Sequence, residues 1–117
     1  EVETYKNMID IFLPSNIIPI SGKSSFLNSY AWRMSELELN LEDALLKSIY
    51  SIKIVDSLGV DVASRKPMLL DTKAEILWKM NKIDEALTVI NQAIEMDPES
   101  QYYQEQKTKF QNSKKGN

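Results

Sequence analysis

One helical pattern is written twice in this chain. Phe26-Leu27-Asn28-Ser29-Tyr30-Ala31 lies over Leu69-Leu70-Asp71-Thr72-Lys73-Ala74, matching large apolar, Leu, short amide or acid, hydroxyl and Ala in order. Further on, Asn40-Leu41-Glu42-Asp43-Ala44-Leu45 lies over Lys82-Ile83-Asp84-Glu85-Ala86-Leu87, with one extra residue in the first copy's turn. A repeat of this kind cannot bury its apolar face alone, and roughly three units are usually needed for a stable stack. With two copies visible, the flanking segments are expected to act as caps.

Within each copy the apolar positions follow a helical period. Phe26, Leu27, Tyr30, Ala31, Met34 and Leu37 fall on one side at about 100° per residue. Asn40 is the expected cap of the next helix, with Glu42 and Asp43 in its first turn, where the macrodipole favours carboxylates. Leu41, Ala44, Leu45, Ser48, Ile49 and Ile52 form the buried face of that helix, and Gly59 stops it. In the second copy Pro67 suits a first turn, and Asn81 suits the left-handed position that ends the helix. Asp97-Pro98-Glu99 reads as N-cap, N1 proline and acidic first turn of a last helix carrying Tyr103, Gln106 and Phe110.

The expected organisation is a single domain over 1–117. It comprises an N-terminal packing helix at 2–13, a divergent first repeat at 25–58, a second repeat at 67–98, a capping helix at 98–111 and a frayed tail at 112–117. Residues 14–24, with two prolines and a glycine, read as a loop, and Ser24 or Ser25 as the cap of the helix that follows. Only three glycines and four prolines in 117 residues agree with an all-α chain of about six helices, because these residues cost most in helix interiors.

Several functions are disfavoured by what the chain lacks. With no Cys and no His, thiol and imidazole nucleophiles, disulfides and the usual zinc ligands are unavailable. The net charge of −3 disfavours a nucleic-acid surface, and no apolar run reaches the roughly 20 residues that span a bilayer. Ser21-Gly22-Lys23-Ser24-Ser25 looks like the end of a phosphate-binding loop. Such a loop needs a glycine where this chain has Ile17, and it follows a strand rather than a helix. No cofactor is expected, and no catalytic residue is assigned. The chain opens at Glu1 without Met, inside a helical pattern, which suggests an excised or processed piece and leaves the compartment open between cytoplasm and periplasm.

The second copy, PMLLDTKAEILWKMNKIDEALTVINQAIEMDP, resembles a tetratricopeptide repeat from Pro67 to Pro98. Ala74 sits where two helices of one repeat cross closely, Leu77 is its large partner, and Asn81 holds the tight turn that usually carries Gly. Ala86, Ile90 and Ala93 follow at the family's spacing. The first copy matches at Ala31, Met34, Ala44, Ser48 and Ser51, lacks the closing proline, and has a longer link at 57–66. Lys73 departs from the family, which prefers an apolar residue there, and must snorkel or lie at an edge. The resemblance implies a short right-handed stack of antiparallel helical hairpins, an α-α superhelix that serves protein–protein interaction or scaffolding rather than catalysis.

In such a stack the first helix of each pair faces a concave groove. With Leu27 and Leu70 as the buried reference, Asn28, Trp32 and Ser35 point together about 80–140° away, as do Asp71, Glu75 and Trp78. These six are the candidate groove contacts, and the two tryptophans are candidate anchors. The competing reading is that the N-terminal helix or an absent preceding domain covers both rings. Asp71 and Glu75, an i, i+4 pair without a third ligand, are expected at a solvated groove edge, favouring a basic or apolar partner segment. Lacking the Lys and Arg that grip carboxylates, the groove is not expected to clamp acidic chaperone tails. NSYAW followed by LDTKAEILWKM also resembles helical repeats that follow thioredoxin-like domains in some bacterial proteins. The alternative function is therefore an accessory domain of a redox enzyme whose catalytic part lies outside this chain.

Overall fold

The structure is a computed structural model that describes residues 19–59 and 64–115, with positions 3, 4, 7, 8, 10 and 14 before them. Five helices are complete: α1 Ile20–Leu37, α2 Leu41–Leu58, α3 Lys66–Lys79, α4 Ile83–Met96 and α5 Gln101–Lys115. No strand occurs among the described residues, so the all-α expectation holds. Most of the helix expected at 2–13 lies outside the described residues, while Glu3, Thr4, Asn7, Met8 and Asp10 have helical backbone.

Helices pack in the order of the chain, α1 on α2, α2 on α3, α3 on α4 and α4 on α5, and α1 also packs on α3. Small residues let the pairs approach. Ala31 and Ala44 are fully buried in the first hairpin, and Ala74, Ala86 and Ala93 in the second. Tyr30, Ala31, Met34 and Ala44 form one core with Ile76 of α3. Leu70, Leu77, Val89 and Ile90 form the other with Phe110 of α5, and Leu45 packs against both. A side chain shared by two cores ties the hairpins into one unit.

The repeat is visible in the turns. Leu39 N–H reaches the Met34 carbonyl at 3.1 Å, and Lys82 N–H reaches that of Leu77 at 2.9 Å, the same closure 43 positions apart. Between these bonds Glu38 (φ 55°) and Asn81 (φ 63°) take the left-handed conformation that ends a helix. The extra residue of the first copy is Asn40, itself left-handed at φ 51°. Its side chain makes no capping bond to α2, so the expected cap is corrected: Asn40 serves the turn through its backbone. Gly59 (φ 87°) ends α2, Pro67 lies in the first turn of α3, and the acidic pairs Glu42-Asp43 and Asp84-Glu85 open α2 and α4, as expected.

Three further boundaries differ from the sequence expectation. The SGKSS stretch is neither loop nor cap, because α1 begins at Ile20 and the Lys23 N–H reaches the Pro19 carbonyl at 3.0 Å. Ser24 is buried, and its hydroxyl donates to the Ser51 carbonyl at 3.0 Å, so packing on α2 extends α1 backwards through a glycine. At the other end α5 starts at Gln101 rather than at Pro98. The Ser100 hydroxyl, not Asp97, accepts the Tyr103 N–H at 3.3 Å, while the Asp97 carbonyl accepts the Ser100 N–H. The expected fraying from residue 112 is also corrected, since α5 continues to Lys115 and Ser113 is tied to the second hairpin.

Candidate functional site

A cleft of about 420 Å³ opens where α1, the start of α3 and α5 meet. Helix α1 contributes Asn28, Trp32 and Glu36, one turn apart, with Ser29 and Arg33 beside them. Met68, Asp71 and Thr72 come from α3, and Tyr102 from α5. The rim is apolar and open: Met68 and Tyr102 are each about half exposed. The floor is polar, with Asp71 and Thr72 buried and Asn28 half-buried. Arg33 is paired with Glu36 at 3.4 Å.

Of the six residues the sequence assigns to a groove, three line this cleft: Asn28, Trp32 and Asp71. Ser35 does not, because it is buried and its hydroxyl turns back to the Trp32 carbonyl at 2.6 Å. Glu75 and Trp78 lie under α5 instead. The Trp78 indole N–H donates to the Ser113 hydroxyl at 2.8 Å, and its ring lies 5.7 Å from that of Phe110. The Lys109 ammonium sits 4.3 Å from the Trp78 ring centre, a cation–π contact. Trp78 is thus packed against the C-terminal helix, a cover that neither the groove expectation nor the competing reading named.

The Asp71/Glu75 pair is not the solvated edge expected for it. Both carboxylates are buried, at 5% and 7% exposure. The Gln106 side-chain amide bridges them, donating to Asp71 at 2.9 Å and to Glu75 at 3.0 Å. Lys109 completes the ion pair with Glu75 at 2.8 Å. Asp71 receives neutral donors alone, Gln106 and the Tyr102 hydroxyl, and has no direct ion pair among the described residues. Burial, joined by the neighbouring Glu75 charge, raises its pKa from 3.8 to about 6 against the lowering by the Gln106 and Tyr102 hydrogen bonds and the Lys109 charge. Burial first, and then the Asp71 charge, push the Tyr102 and Tyr103 hydroxyls above the usual phenol range.

Sequence reasoning missed the residues of α5 that build this site. Gln106 lies in helical register with Tyr103 and Phe110, a polar residue in an otherwise apolar stripe. That signal was present, because a polar side chain on a buried face must meet a polar partner. Tyr102 gave none, as one of two adjacent tyrosines with no pattern to separate them. The i, i+4 carboxylates were correctly joined, but nothing in α3 alone shows that α5 lies over them. Among the described residues no cluster of acidic side chains is arranged to hold a metal ion. No family model matches the chain, and no curated protein or solved structure matches it either, so the geometry of the cleft carries the functional reading.

Proposed function

We propose that this chain is a non-catalytic protein-interaction module of tetratricopeptide type, which takes a segment of a partner protein into the cleft between α1, α3 and α5. The observation that carries the reading is the cleft itself: an exposed apolar rim of Met68 and Tyr102 over a polar floor. Pockets with apolar walls and a few placed polar groups are the usual form of a binding site. The packing order supports the repeat assignment, since α3 meets both helices of the preceding hairpin as well as its own partner. Shared turn closure at Met34–Leu39 and Leu77–Lys82 supports it independently. The lack of Cys and His leaves no thiol or imidazole for catalysis.

A peptide array probed with the full chain tests this reading. Selected peptides should shift the Trp32 indole N–H resonance, and Met68→Glu should weaken them about ten-fold by placing a charge on the apolar rim. Binding that leaves Trp32 unmoved, or that survives Met68→Glu, would remove the cleft from the function.

A further inference from the structure

Among the described residues the charges at the cleft do not balance. On α1, Glu36 is matched by Arg33 at 3.4 Å. Under α5, Glu75 is matched by Lys109 at 2.8 Å. Asp71 lies between these two pairs, lines the cleft, is 5% exposed, and has no direct ion pair among the described residues, only the field of Lys109, which is bound to Glu75. A buried carboxylate held by neutral donors is costly, and a cation brought to it is favoured by the low dielectric that makes it costly. The same cleft is lined by Asn28, whose amide oxygen is buried without a hydrogen-bond partner among the described residues. Asp71 thus lacks a paired cation, and the Asn28 oxygen lacks a donor. Trp32 and Tyr102 line the same space, and their ring faces attract cations.

Resting on the peptide-binding reading above, we infer that the cleft receives a lysine or arginine side chain of the partner segment, its cationic head held against Asp71 among the Trp32 and Tyr102 rings. The aliphatic stem of such a side chain fits the Met68 rim, since long basic side chains cover apolar surface while their heads seek charge. An acidic residue in the same place would meet Asp71 directly. A purely apolar residue would bury the carboxylate further without supplying a donor.

Protonation separates this arrangement from simple hydrophobic docking. The charged and titratable groups around Asp71 are Glu75 on its own helix, Tyr102, Tyr103 and Lys109 on α5, and the Arg33–Glu36 pair on α1. Burial places the Asp71 carboxyl near pH 6, so much of it is neutral in mildly acidic solution. A cationic ligand binds the ionised form, displaces that proton, and loses affinity as pH falls below about 6.

The test uses the full chain and four peptide pools with randomised flanks and a central residue fixed as Lys, Arg, Leu or Glu, followed by the Trp32 indole N–H resonance. The Lys and Arg pools should bind about ten-fold more tightly than the Leu and Glu pools at pH 7.5, the scale of one charge-assisted contact. That preference should shrink at pH 5 and disappear in Asp71→Asn, whose side-chain oxygen still accepts from Gln106. Asp84→Asn, altering an exposed carboxylate bound to Lys114, should leave the preference intact. Equal or tighter binding of the Leu or Glu pool would overturn the basic-residue inference while leaving peptide docking in place. A basic preference that persists unchanged in Asp71→Asn would also overturn it. Failure of every pool to move Trp32 would overturn both readings.

Discussion

The two hairpins share a plan and differ in what fills it. In the second, the helix crossing is packed by Ala74, Leu77, Ala86, Val89, Ile90 and Ala93, closed by the fully buried Phe110 of α5. In the first, four buried serines, Ser24, Ser35, Ser48 and Ser51, stand among the aliphatic and aromatic side chains. By the repeat, Ser48 stands where Ile90 does, and Ser51 where Ala93 does. Three of the serine hydroxyls find backbone carbonyls: Ser24 that of Ser51, Ser51 that of Ser48, and Ser35 that of Trp32. The Ser48 hydroxyl has no hydrogen-bond partner among the described residues. The same backbone geometry therefore tolerates hydroxyls where carbonyls are in reach.

Breaking that difference gives the largest expected effect. Ile90→Ser writes the chemistry of the first hairpin into the second and should destabilise the protein by at least about 3 kcal/mol, combining a lost aliphatic side chain, a cavity and a buried hydroxyl. Urea unfolding measures it. A loss below about 1 kcal/mol would mean that the two cores are energetically interchangeable.

A smaller effect is expected at Asp71, the second copy's equivalent of Asn28. Because its folded-state pKa is raised to about 6, the fold favours the neutral acid. That contribution is fully present below the ordinary value of 3.8 and is lost as pH rises through about 6. Asp71→Asn should consequently stabilise the protein above about pH 7, by up to roughly 3 kcal/mol, and the gain should vanish below about pH 4. Denaturation midpoints of both proteins across pH 4–8 give the result. A gain independent of pH would assign the effect to something other than the buried charge.

The smallest expected change sharpens the comparison from the other side. Ser48→Ala removes an unsatisfied buried hydroxyl at almost constant volume, so it should be neutral or stabilising by up to about 1 kcal/mol. A clear loss of stability, measured in the same urea series, would show that this hydroxyl has a partner on unfolding-sensitive contacts.

Much of the fold was legible because it rests on local period and turn chemistry. The duplicated pattern placed both hairpins, and the left-handed residue at Asn81, the stop at Gly59 and the start at Pro67 appear where their backbone preferences put them. What misled was also local. Residues 14–24, with two prolines and a glycine, read as a loop, yet 20–24 lie in α1, where the Ser24 hydroxyl meets the Ser51 carbonyl. Asp97-Pro98 read as a cap, yet the chain makes one more turn before Ser100 takes that place. In each case a contact distant in sequence, or one turn of irregular chain, outweighed the local preference.

The candidate site divides along the same line. Asn28, Trp32 and Asp71 were found because helical geometry alone sets which side chains share a face. Whether a face is open or covered is decided by the helix laid across it. Nothing in α3 distinguishes Asp71, which borders the cleft, from Glu75, which lies beneath Lys109. The sequence by itself determined the periodicity, the two-fold repeat and the turns, since each follows from the conformational preferences of a few neighbouring residues. Only the tertiary structure decided that α5 closes one half of the expected groove and leaves the other half as a cleft. The contacts that do so, Gln106 to Asp71 and Glu75 and Ser113 to Trp78, join residues more than thirty positions apart. Such contacts depend on where the helices lie in space, which local preference does not encode.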